Sequence, residues 1–92
     1  MLGTMTTFLI EAYLADGPTA LEDACGAARR AADGAAGIRY LRSTFVPRDE
    51  TVFHVFEARS ATALLEAART AALTVDRIGE AIDEPARVGA PD

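Results

Sequence analysis

The chain has 92 residues, 50% of them hydrophobic and 25% charged, which suits one small globular domain and excludes a disordered chain. Nine basic residues, all of them arginine, against fourteen acidic ones give a net charge of −5, which argues against a nucleic-acid partner. One cysteine and one histidine exclude an internal disulfide framework and a zinc ribbon.

Met5 to Leu14 alternates and is predicted as the first strand, with Phe8, Ile10, Ala12 and Leu14 on one face and Leu9, Glu11 and Tyr13 on the other. Asp16-Gly17-Pro18 breaks the strand and opens a helix, Pro18 standing near the first helical position, where its missing N–H is harmless. Leu21, Ala24, Cys25, Ala28, Ala31 and Ala32 keep the 3.6-residue spacing of a buried stripe, and Gly34 supplies the stop. Cys25 on that stripe reads as a small hydrophobe, with no CxxC partner nearby.

A second strand is predicted from Ile38 to Val46, with Leu41, Ser43 and Phe45 on one side and Tyr40, Arg42 and Thr44 on the other. Pro47-Arg48-Asp49-Glu50 is turn-like, and a third strand runs from Thr51 to Ala58. A symmetric hairpin sets His54 opposite Thr44 and diagonal to Arg42, with Phe53 and Val55 joining Leu41 and Phe45 on the reverse face. Ser60 is the expected N-cap of a second helix whose buried stripe is Ala61, Leu64, Leu65, Ala68, Ala71 and Ala72. A short last strand from Arg77 to Asp83 carries Ile78 and Ile82. Residues 1–84 thus read as one domain, and 85–92, without apolar period, as a flexible tail. The apolar runs are too short to span a bilayer and no signal-peptide pattern is visible, so the expected location is the cytoplasm, with no membrane partner.

The order β-α-β-β-α-β predicts an α+β, ferredoxin-like fold: a four-stranded antiparallel sheet in the order 4-1-3-2 with two helices on one face. Phe8, Phe45 and Phe53 are expected to fill the space between the layers. The uncovered face is expected to carry Leu9, Glu11, Tyr13, Tyr40, Arg42, Val46, Val52, His54 and Phe56. A face so apolar calls for a companion, and the simplest is a second copy of the chain in a homodimer.

Glu11, Arg42 and His54 form the chemically suggestive group on that expected face. A carboxylate beside an imidazole raises its pKa and orients its tautomer, and Tyr13 and Tyr40 add phenolic donors, so Glu11, Tyr13, Tyr40, Arg42 and His54 are the candidate ligand-binding residues. The plainer reading is a Glu11–Arg42 salt bridge that fixes the dimer register, with His54 hydrogen-bonded between them.

Four segments carry a family resemblance: Phe8-Leu9-Ile10-Glu11, Gly37-Ile38-Arg39-Tyr40-Leu41-Arg42-Ser43, Val55-Phe56-Glu57-Ala58 and Val75-Asp76-Arg77-Ile78. In order and spacing, over about residues 7–83, the chain resembles small bacterial ferredoxin-like proteins formerly listed as a domain of unknown function, one member of which is described as nickel-binding. The resemblance implies the fold, the homodimer and a metal or small-molecule ligand, nickel or another divalent ion being the cofactor and His54 the imidazole that could ligate it. Family members often carry a histidine on the second helix, where this chain has Ala67 within Glu66-Ala67-Ala68-Arg69. Three functions stand side by side. One is a non-catalytic homodimer that binds a ligand or metal. Another is a small cofactor-independent enzyme of monooxygenase or isomerase type, with His54 as base, Arg42 stabilising an enolate or phenolate, and Tyr13 or Tyr40 positioning the substrate. The last is a protein-interaction module docking through the open face.

Overall fold

Alternating apolar residues define the first strand, and the computed structural model of the chain, which describes residues 5–15 and 18–84, sets it inside the sheet. β1 (Thr6–Tyr13) buries Phe8, Ile10 and Ala12 on one face, as a period of two requires. The chain continues through α1 (Pro18–Asp33), β2 (Arg39–Val46), a 3-10 turn (Pro47–Asp49), β3 (Thr51–Ala58), α2 (Ala61–Thr70) and β4 (Arg77–Glu80). The strands pair antiparallel in one sheet, ordered β2-β3-β1-β4, so the protein has the expected α+β ferredoxin-like fold. The last strand is shorter than the predicted span, ending at Glu80 and leaving Ile82 87% exposed. The proposed tail, 85–92, lies outside the described residues. Among the described residues no helix is long and apolar enough to cross a membrane.

Local signals explain the helix ends. Gly34 closes α1 with its N–H on the Arg30 carbonyl at 2.9 Å, and Gly37 at φ +80° turns the chain into β2. Ser60 caps α2, its Oγ accepting from the Ala63 N–H at 3.1 Å. At the other end Ala72 takes a left-handed conformation at φ 59°, with its N–H on the Arg69 carbonyl and the Leu73 N–H on the Ala68 carbonyl. This is a Schellman ending built on an alanine instead of the usual glycine. The buried stripe of α2 is Leu64, Ala67 and Ala68, flanked by Ala61 and Ala71. Leu65 and Ala72, expected inside, are exposed, because Leu65 sits one position off the stripe and Ala72 has already left the helix.

The register of β3 corrects the expected faces. Phe8 pairs with Phe56, Ile10 with His54 and Ala12 with Val52, and directly paired residues share a face. His54, Phe56 and Val52 therefore lie beneath the helices, and Phe53 and Val55 lie on the open face beside Glu11 and Leu9. In the hairpin His54 stands opposite Ser43, not Thr44, because Val46 pairs with Thr51 across the turn. A slip of one residue moves every side chain of a strand to the other face. A bulge at Leu41 then shifts β2 between Tyr40, opposite Phe56, and Arg42, opposite Val55. Tyr40 consequently joins the covered face while Arg42 and Thr44 stay on the open one. Phe56, not Phe53, fills the space between the layers, with Phe8, Ile10, Leu64 and the alanines of both helices around it.

Candidate functional site

Tyr40 and Ser43 are three residues apart in one strand, a spacing that would normally put them on opposite faces. The bulge at Leu41 cancels the difference, and the Tyr40 hydroxyl meets Ser43 Oγ in a hydrogen bond. Ser43 Oγ in turn bonds His54 Nδ1 at 2.6 Å. The Tyr40 ring packs on Phe56 at a centroid separation of 5.3 Å, and the Arg29 guanidinium of α1 lies 6.0 Å above its centre. Burial raises the Tyr40 phenol above its ordinary value of 10, against the lowering effect of its bond to Ser43; Cys25 of α1 is a further polar neighbour. A line of polar groups thus runs beneath α1 from Cys25 through Tyr40 and Ser43 to His54.

His54 is 0% exposed, and burial lowers its pKa from 6.5 to about 4. At neutral pH the ring is uncharged, with one nitrogen carrying a proton and the other a lone pair. Its Nε2 has no hydrogen-bond partner among the described residues. The hydroxyls of Tyr40 and Ser43 each donate and accept, so the line can run either way. When Ser43 donates to Nδ1, Nε2 carries the proton; when Nδ1–H donates to Ser43, Nε2 is the acceptor.

His54 also lines a cavity of about 290 Å³. Its walls are Ala12 and Leu14 from the end of β1, Ala20, Ala24 and Ala27 from α1, and Leu73 from the α2–β4 connection. Polar groups on the lining besides His54 are Asp23, Arg30 and Thr74, all exposed side chains. The small side chains of α1 leave this room; larger ones at positions 24 and 27 would fill it.

The remaining predicted site residues lie elsewhere. Glu11, opposite Phe53, is on the open face, its Oε1 3.8 Å from Arg77 Nε. Arg42 is also on the open face and approaches Asp83 at 3.9 Å, so the expected Glu11–Arg42 bridge is replaced by two exposed pairs of small energetic weight. Tyr13 is 59% exposed at the end of β1, where its hydroxyl donates to Glu50 Oε1 at 3.0 Å. Of the five candidates, only Tyr40 and His54 are brought together, and they meet through Ser43, which sequence reasoning missed. Leu14, Ala24, Ala27 and Leu73 were missed as cavity walls, since alanine and leucine at helical spacing read only as core.

No family model matches the chain, and no curated protein matches it. Among solved structures it is similar to the crystal structure of SCO4226 from Streptomyces coelicolor A3(2), with a TM-score of 0.71 over 86% of this chain and 99% of that one. The two sequences are 17% identical, so the likeness speaks to the fold.

Proposed function

We propose that the protein is a non-catalytic homodimer that holds a small organic molecule in the cavity beside His54. The observation carrying this reading is the cavity of about 290 Å³ walled by Leu14, Ala24, Ala27 and Leu73, with the buried His54 at its edge. The dimer half rests on the open face, where Leu9, Val46 and Phe53 sit with no described helix over them.

The ligand is taken as organic because the donor set does not fit a metal. Nickel calls for about four to six donors. His54 and Asp23 line the same cavity, but no group of three or more His, Cys, Asp or Glu side chains converges among the described residues. Ala67, where the family resemblance leads one to look for an imidazole, is buried in the core. The enzyme alternative needs Arg42 beside His54 and Tyr13 or Tyr40 to position the substrate; Tyr40 reaches His54 through Ser43, but Arg42 and Tyr13 stand apart from it. Binding without turnover therefore needs fewer assumptions than catalysis.

The test follows the leucine methyl groups of Leu14 and Leu73 by NMR while neutral and charged one-ring compounds are added at millimolar concentration. At least one compound is expected to shift both methyls together with the His54 ring. If none does, the ligand-binding reading is wrong.

A further inference from the structure

The cavity that His54 lines has an apolar interior and a charged rim. Ala12, Leu14, Ala24, Ala27 and Leu73 present hydrocarbon, and His54 is wholly buried, so its ring closes the wall without offering an accessible polar atom. Asp23 and Arg30 line the same cavity but are exposed, which places their charges at its opening. A cavity of roughly 150 Å³ already accommodates benzene. The volume here, about 290 Å³, admits an apolar group as large as one ring.

The two charges stand close enough to meet one molecule. Asp23 and Arg30 belong to one face of α1, seven residues and so about two turns apart. The Arg30 guanidinium folds back along that face: a Cβ on Gly26 would stand 3.6 Å from its Nη1, while its Nη2 reaches the Ala71 carbonyl at 3.5 Å. Gly26 lies a single turn from Asp23, about 4.5 Å along the helix axis. Neither ion is paired with another described side chain.

A ligand with one charge meets a conflict at this rim. A carboxylate drawn to Arg30 stands near Asp23, and an ammonium drawn to Asp23 stands near Arg30, so repulsion offsets attraction in both cases. A molecule that carries both charges side by side, with an apolar group attached, suits rim and walls together. Resting on the ligand-binding reading above, we infer that the cavity beside His54 takes an α-amino acid with an apolar side chain, its ammonium on Asp23, its carboxylate on Arg30 and its side chain among the alanines and leucines. The ligand makes no bond to His54, whose ring is only part of the wall.

The experiment titrates the full-length protein at pH 7 with L-phenylalanine and with three analogues that lack one or both charges: 3-phenylpropanoate, phenethylamine and ethylbenzene. Binding is read from the Leu14 and Leu73 methyl resonances. Phenylalanine is expected to bind about tenfold more tightly than either singly charged analogue, the weight of one charge-assisted hydrogen bond at an exposed rim. Asp23→Asn is expected to abolish its advantage over 3-phenylpropanoate, and Arg30→Gln its advantage over phenethylamine. Both positions are exposed, and the comparison of the four compounds on the natural chain stands without the variants. Any analogue that binds as tightly as phenylalanine, or a preference that survives both substitutions, overturns the inference and leaves the ligand-binding reading standing. Silence from all four compounds overturns that reading itself.

Discussion

A buried imidazole tolerates its neutral form far better than its charged one, and a pH dependence of stability follows from the difference. In the unfolded chain His54 takes up a proton near its ordinary value of 6.5, whereas the folded protein resists until about 4. Above 6.5 neither state is protonated at this ring and its contribution is complete. As the pH falls from 6.5 towards 4 the unfolded state binds the proton first, so stability drops, by about 3 kcal/mol at most. Urea unfolding at several pH values is expected to show this loss in the natural chain and to lack it in His54→Phe; equal slopes in both would show that the ring is not buried. Tyr40→Phe keeps the ring on Phe56 and removes the hydroxyl that meets Ser43. Its expected cost is about 1 kcal/mol, read from the same unfolding curves, with a displaced His54 Nδ1 resonance as the sign that the line of hydrogen bonds was cut.

Two backbone irregularities set the elements that hold this line. The bulge at Leu41 lets Tyr40 and Ser43 share a face. Deleting Leu41 would restore a regular ladder in which Tyr40, now two positions from Ser43, keeps its place opposite Phe56, so the NMR contacts between the Tyr40 and Phe56 rings are expected to persist; their loss would show that the bulge does not sit at Leu41. The left-handed Ala72 ends α2 at the rim of the cavity. Ala72→Gly removes the steric strain there and is expected to raise stability by about 0.5–1 kcal/mol in thermal unfolding. The order of the elements could be read from the amino acids because Gly34 and Ser60 punctuate it and Phe8, Ile10 and Ala12 alternate cleanly. The facing of β3 could not. Val52 and Phe56 on one face and Phe53 and Val55 on the other are equally apolar, as befits a strand between two neighbours, and alternation then carries no preference. A symmetric hairpin sets His54 opposite Thr44 and so on the uncovered face, whereas the actual register pairs it with Ser43 beneath the helices. Nor does Leu41, neither glycine nor proline, announce a bulge. The candidate site was therefore legible only in Tyr40 and His54, not in how they connect.

At the scale of the molecule, the helices occupy one side of the sheet, and Leu9, Val46 and Phe53 on the other motivate the proposed pairing of two chains. Sedimentation equilibrium is expected to give twice the chain mass, and Phe53→Arg is expected to give a folded monomer; a natural chain that sediments singly at micromolar concentration removes the dimer. Beneath this architecture lies a single placement, an uncharged histidine ring under α1 at the edge of a cavity. The nitrogen-15 spectrum of that ring, followed from pH 8 to pH 3.5 in the free protein, examines the placement without any ligand. The expected result is a ring that stays neutral through pH 6 and gains its proton with a midpoint near 4. A midpoint between 6 and 7, the behaviour of an imidazole in water, would contradict it.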